Sequence, residues 1–285
     1  MSFKQSFVNV PMDEPSAPYV LMDSHCHFDF SPFDGRRNKL WALCRENNIR
    51  YLLIPGVHPD QWLPSCELTK VLIGVKCSAG IHPWWIGKLD DKDLCDKGLS
   101  LSVLERLEKV LQQENCVAIG ECGLDKAIAT DFELQQTIFE QHIQYACESG
   151  LPLIIHVRKT QNETLRLLSR YKSAGGGVIH GFTGSLELAK QYWALGFYLG
   201  VGGSITYPRA NKTRQALLQM PLESLLLETD APDMPLNGFQ GEPNSPLKIL
   251  DIAKALAELR GESIENIALQ TTKNACQLFN LPFNN

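Results

Sequence analysis

PLIIHVRKTQNETLRLLSRYKSAGGGVIH, residues 152–180, holds two short apolar runs that each end in a histidine. The runs 152–155 and 177–179 are apolar without in/out alternation, as expected of parallel strands buried on both faces. The span 163–171 between them reads as a helix, so the stretch is a β-α-β unit. The same alternation extends in both directions. Further strands are predicted at 19–24, 51–55, 73–79, 117–120, 197–201 and 225–227. Helices are predicted at 37–47, 59–72, 99–113, 132–148, 186–195, 212–219, 247–259 and 263–279. Eight strands, each followed by a helix, spell an α/β fold of the (β/α)8 TIM-barrel type with an additional C-terminal helix. An open doubly wound sheet is the alternative, but no GxGxxG opens a helix and eight units suit closure better.

Composition agrees with a barrel of this length. The chain has 285 residues, 44% hydrophobic and 21% charged. These proportions exclude a disordered chain, a collagen-like repeat and a small disulfide scaffold. No window approaches the ~18 apolar residues of a membrane span, so a soluble protein with no membrane partner is expected. The net charge of −5 lacks the basic footprint of a protein that coats nucleic acid. It leaves room for an enzyme that captures one phosphate, because a bound dication inverts the local field. Nine scattered cysteines form no CxxC pair, and no secretory leader opens the chain, so reduced thiols in the cytoplasm are expected. Residues 1–18 read as a loose extension and 19–285 as one barrel domain. The Pro/Gly-rich stretch 231–246 reads as one long loop after the eighth strand.

Polar residues gather at the strand ends. Asp23-Ser24-His25-Cys26-His27 closes the first strand, and residues i and i+2 of a strand point to one side, which lets His25 and His27 share an ion. Glu121 follows the apolar run 117–120, His156 follows 152–155, His180 follows 177–179, and Glu228-Thr229-Asp230 follows 225–227. The C-terminal ends of barrel strands are where barrel active sites sit. Four imidazoles and two carboxylates suit Zn²⁺ or Mn²⁺, with Mg²⁺ as a further option, better than a thiolate or all-oxygen site. Six ligands exceed the need of one tetrahedral ion, so two divalent cations bridged by a carboxylate is the better count. Such a pair polarises a phosphoryl or carbonyl oxygen and holds a nucleophilic hydroxide. Glu121, with two oxygens, is the natural bridge. Asp230, at the mouth of the last strand, is the candidate proton acceptor.

The motifs DSHCHFD, GECGLD, IIHVR, IHGFTGS and LLLETDAPD, in this order, resemble the TatD-type metal-dependent hydrolase family of the amidohydrolase superfamily. The likeness runs from about Met22 to Pro282. The stretches GVGGSITYPRANKTR and TDAPDMPLNGFQGEPN resemble its YjjV subgroup. The resemblance implies a distorted TIM barrel, a two-metal site and hydrolysis of phosphoester bonds of the deoxyribonuclease or phosphodiesterase kind. It places His25 and His27 on a first metal, His156 and His180 on a second, Glu121 as the bridge where other superfamily members carry a carboxylated lysine, and Asp230 on the first metal as handler of the nucleophile's proton. Cys122 departs from the aliphatic residue of many relatives and suggests an added redox sensitivity.

Three more groups are candidates to touch substrate. His82, in Gly80-Ile81-His82-Pro83, reaches a substrate phosphate or is held by hydrogen bonds in its loop. Arg158 forks onto phosphate oxygens or pairs with an acid such as Asp125. Arg209 is a loop cation that binds substrate or faces solvent. His58 and His142 carry no expected catalytic role. The leading expectation is a two-metal hydrolase of an anionic phosphate-containing substrate, DNA ends or nucleotides, needing no obligate protein partner. An amidohydrolase acting on a C–N or carboxylic ester bond and a non-catalytic metal-binding barrel are the alternatives.

Overall fold

The apolar runs pair side by side in chain order in the computed structural model, which describes residues 19–96, 98–171 and 175–283; the extension read over 1–18 lies outside them. The strands β1 (Leu21–Asp23), β2 (Ile49–Ile54) and β3 (Val75–Ala79) run parallel. A small antiparallel hairpin follows, β4 (Leu94–Cys95) with β5 (Gly98–Leu99). The main sheet then resumes with β6 (Cys116–Asp125), β7 (Leu153–Arg158), β8 (Gly177–Ile179), β9 (Phe197–Val201) and β10 (Leu225–Leu227). Its eight strands lie in the order β1-β2-β3-β6-β7-β8-β9-β10, all parallel. The seam between first and last closes by hydrogen bonds just beyond the strands. Ser24 N and Oγ donate to Leu227 O at 3.0 and 2.9 Å, Asp230 N to His25 O at 2.8 Å, and His27 N to Ala231 O at 2.8 Å. The fold is a (β/α)8 TIM barrel, not an open sheet.

Helices α1 (Arg37–Glu46), α2 (Pro59–Val71), α3 (Pro83–Ile86), α4 (Leu101–Leu111), α5 (Phe132–Ser149), α6 (Gln161–Arg170), α7 (Leu186–Ala194), α8 (Asn211–Gln219) and α9 (Ile249–Arg260) connect the strands and follow the last of them; α10 (Ile264–Leu278) is the additional C-terminal helix. Local chemistry sets their ends. The Asp131, Ser185 and Ser263 side chains accept from the third residue on, at the starts of α5, α7 and α10. Gly150 and Gly261 stop α5 and α9 in the left-handed region. One or two residues from most strands (Met22, Leu53, Val117, Ala118, Ile154, Val178 and Leu226) join Ala275 and Phe279 in a buried cluster of their own. The C-terminal helix therefore packs against one end of the barrel, and the strand C-termini carry the polar residues at the other.

Three expectations need correction. The strand read over 152–155 runs on to Arg158, so His156 lies inside β7 and not after it. The strand read over 117–120 runs on to Asp125, so Glu121 lies inside β6 and not at its end. The register against β7 slips between Ile119 and Cys122, and the glycines on both sides of Glu121 allow it. Gly120 (φ +132°) and Gly123 (φ +141°) sit where a Cβ would stand 2.5 Å from Ile154 O and 2.1 Å from His156 O. The strand read from residue 73 starts at Val75, because Gly74 takes φ +91° in the turn before it. The hairpin and α3 were not legible as elements at all.

Candidate metal centre

Glu121 stands at the centre of the barrel mouth with only 1% of its surface exposed. Its two oxygens face different partners. Oε2 is 3.1 Å from His25 Nε2 and 3.7 Å from His27 Nε2. Oε1 is 2.9 Å from His180 Nε2, 3.2 Å from His156 Nδ1 and 3.3 Å from His82 Nε2. Asp230 Oδ1 completes the first group, 3.5 Å from both His25 Nε2 and His27 Nε2. Asp230 holds φ +56°, which turns the chain directly after β10 and aims the carboxylate inward. The two groups abut, with the His25 and His180 rings stacked at 4.0 Å. All six candidate ligands read from the sequence converge here.

The donor set fits divalent cations. His156 Nδ1 lies 3.3 Å from His180 Nε2, and both face Glu121 Oε1, so lone pairs converge where only protons or cations can separate them. His25 Nε2 and Nδ1, His27 Nδ1 and His180 Nδ1 are buried without a hydrogen-bond partner. Three ligand triads have atoms within 4.8 Å of one another: His25, His180 and Asp230; His25, His27 and Glu121; and His82, Glu121 and His156. Burial pushes the Glu121 carboxyl up, but the imidazoles of His180, His82 and His25 overcome it and hold the group well below the carboxylate range. Asp230 follows the same pattern, with His27, His180 and His25 outweighing burial.

His82 differs from the others. Its Nδ1 accepts from Trp84 N at 3.0 Å, capping α3, and burial pushes its pKa down to about 3. A neutral ring that accepts at Nδ1 must carry its proton on Nε2, the nitrogen that faces Glu121 Oε1. His82 is thus a donor into the site and not a cation ligand, despite its place in the third triad. The sequence allowed two roles for it, and the structure gives it both a loop hydrogen bond and an inward-facing N–H.

A cavity of about 610 Å³ opens above the cluster, lined by His27, His82, Glu121, His156, His180 and Asp230 among others. Phe30, Trp84 and Trp85 form an aromatic side, and Lys88 Nζ sits 3.8 Å over the Trp85 ring. Arg158 lines this cavity; the Asp125 carboxylate is engaged elsewhere, by Trp84 Nε1, Ala127 N and His156 Nε2. Arg209 does not reach the cavity. It lies over the Tyr207 ring at 4.9 Å and lines a neighbouring groove instead, since the turn after β9 carries it outward. His142 is buried in α5, accepting from Ile81 N, and His58 caps α2. Cys122 is fully buried and burial pushes its thiol well up, so the redox sensitivity suggested by its position has no reactive thiolate behind it.

Two carboxylates named in the sequence reading, Asp125 and Glu228, were given no place behind the cluster there. Asp125 faces His156, and Glu228 Oε1 lies 3.6 Å from His180 Nδ1. Asp125 shares a strand face with Glu121 at i+4, a signal hidden by ending the strand at Gly120. Asp23, buried beside His25, accepts from Thr229 N at 3.0 Å and Thr229 Oγ1 at 2.6 Å across the barrel seam, and burial pushes its carboxyl up to about 8.

A family model described as TatD-related DNase matches residues 22–280. The chain is 38% identical over 265 residues to the uncharacterized metal-dependent hydrolase YjjV of Escherichia coli K12, covering 92% of this chain and 98% of that one. It is 38% identical over 269 residues to an uncharacterized metal-dependent hydrolase of Haemophilus influenzae, covering 91% and 99%. The crystal structure of YjjV, described as a TatD homologue, superposes with a TM-score of 0.86 at 37% identity, over 93% of this chain and all of that one.

Proposed function

The chain belongs to the TatD-related DNase family, and from that membership we propose that it is a metal-dependent hydrolase that uses two divalent cations to cleave phosphoester bonds. Zn²⁺ or Mn²⁺ suits the imidazole-carboxylate donors best, with Mg²⁺ a further option. His25, His27 and Asp230 would hold one cation with Glu121 Oε2, and His156 and His180 the other with Glu121 Oε1. The observation that carries this reading is the division of the Glu121 oxygens between two sets of imidazoles. A cation pair so held polarises a phosphoryl oxygen and acidifies water.

The chain's own residues supply the rest. Asp230 lines the cavity, and the imidazoles beside it hold its carboxyl below the ordinary range, so it would accept the proton of the attacking water. His82 Nε2–H donates to an oxygen of the substrate phosphate. Arg158 and Lys88 line the cavity as cations and favour an anionic substrate over a neutral amide or carboxylic ester. The aromatic side formed by Phe30, Trp84 and Trp85 gives a planar group attached to that phosphate a surface to lie on. DNA ends and nucleotides meet both requirements. All nine cysteines are free, which supports a cytoplasmic setting; among the described residues no helix is long and apolar enough to cross a membrane. The test is turnover by metal-reconstituted protein of bis- and mono-nitrophenyl phosphates and labelled oligonucleotides, beside matched amides and carboxylic esters, with and without chelator. Chelator-sensitive cleavage confined to the amides or carboxylic esters would overturn the phosphoester assignment.

A further inference from the structure

Asp125 touches none of the cavity-lining atoms assigned above to cation binding, yet two N–H groups and one imidazole nitrogen are aimed at its two oxygens. Ala127 N donates to Oδ1 at 2.7 Å, Trp84 Nε1 donates to Oδ2 at 2.6 Å, and His156 Nε2 lies 3.3 Å from the same Oδ2. Asp125 is fully buried, at the last position of β6, with its own N–H taken by Gln135 Oε1 at 2.9 Å. The other nitrogen of the His156 ring, Nδ1, faces Glu121 Oε1 and His180 Nε2. His156 and His180 therefore present opposite nitrogens to the same oxygen.

We infer that Asp125 is a positioning residue that fixes the His156 proton on Nε2 and so leaves Nδ1 as the donor to the second cation. The inference rests on the two-cation reading above. An ionised carboxylate only accepts, so its Oδ2 can receive the indole N–H and the imidazole N–H together. A ligating histidine commonly gives its second N–H to such a group, which fixes tautomer and ring orientation. An asparagine cannot replace it. Its NH₂ would face either Ala127 N–H or the Trp84 and His156 donors. In the second case the His156 ring must accept at Nε2 and carry its proton on Nδ1, where the cation lone pair is needed. Trp84 adds a link to the outside, because half of this indole is exposed at the cavity rim while its N–H is anchored on the oxygen that holds His156.

The experiment is a zinc titration of apoprotein in competition with a chromophoric chelator, joined to long-range ¹H–¹⁵N spectra of the zinc-loaded protein with ¹⁵N-labelled histidine. Wild type is expected to take up two equivalents and to show His156 protonated on Nε2. Asp125→Asn is expected to keep the first equivalent and weaken the second by about 10–100-fold. Trp84→Phe, which leaves the carboxylate in place, is expected to keep both. Two equivalents at wild-type affinity in Asp125→Asn would overturn the inference, as would a wild-type His156 with its proton on Nδ1. The tautomer measurement stands by itself if Asp125→Asn does not fold. A wild type that binds fewer than two equivalents would instead overturn the two-cation reading and the inference built on it.

Discussion

Asp230→Asn isolates proton acceptance from folding and from metal binding. Asp230 sits in the left-handed region at φ +56°, which asparagine tolerates as readily as aspartate, so the turn after β10 is kept. The amide oxygen can still face the two imidazoles that stand 3.5 Å from Oδ1. What disappears is the basic oxygen. Glu121 does not stand in for it, because Oε1 already lies within 3.3 Å of three imidazole nitrogens and Oε2 faces two more. Among the described residues Asp233 is the only other carboxylate lining the cavity, and burial and the Asp230 charge hold its carboxyl up. General-base catalysis contributes ~10²–10⁴-fold, equivalent to about 2.7–5.4 kcal/mol of barrier at ~1.36 kcal/mol per tenfold. The expected variant has near-native melting, retained metal and kcat on a nitrophenyl phosphodiester lowered at least about a hundredfold. Metal content by elemental analysis, melting temperature and steady-state kinetics are measured on the same preparation. Wild-type turnover with the metals in place would refute the role given to Asp230.

Other expectations follow from the same geometry. Stripping the cations should lower the melting temperature by roughly 5–10 °C, since a ligand at a hundred times its Kd stabilises by ~2.7 kcal/mol and each kcal/mol is worth ~2–4 °C in a chain of this size; calorimetry showing identical melting of verified apoprotein would contradict it. Arg158→Ala should reduce kcat/KM for an anionic diester about tenfold or more, from the loss of a charge-assisted hydrogen bond, and leave a neutral carboxylic ester within about twofold; equal losses on both would remove Arg158 from phosphate binding. Burial lowers His142 to about 4, against ~6.5 for a free imidazole. The unfolded chain therefore takes up a proton that the fold refuses, and stability present above pH 6.5 is lost as pH falls toward 4. Urea denaturation should show the destabilisation caused by His142→Gln shrinking by about 2 kcal/mol between pH 7.5 and 5; an unchanged gap would show that His142 does not titrate this way.

The barrel was legible because its strands are buried on both faces and so read as unbroken apolar runs, as at Leu153–Ile155 and Leu225–Leu227. The six candidate ligands were legible because each follows such a run. Glu121 is the instructive case, singled out as the candidate bridge although its strand was ended five residues too early. Register slippage at Gly120 is a backbone event with no hydrophobic signature, and it hid Asp125 with it. The tautomer of His82 could not be read either, since it depends on Trp84 N arriving at Nδ1 through the short helix α3. Arg209 was misplaced for a related reason: a loop cation carries no periodicity to say which groove it lines.

The seam of the barrel has a consequence for the order in which the molecule becomes competent. His25 and His27 enter before the first helix, whereas Asp230, tied to His25 O through its backbone N–H, arrives 205 residues after His25. On a ribosome, Glu121, His156 and His180 are all made while the group around His25 still lacks Asp230. Domains fold as units during synthesis only once their pairing segments are out. A prematurely terminated product that ends before Leu225 therefore has neither the strand that closes the sheet nor Asp230, and the group around His25 stays incomplete.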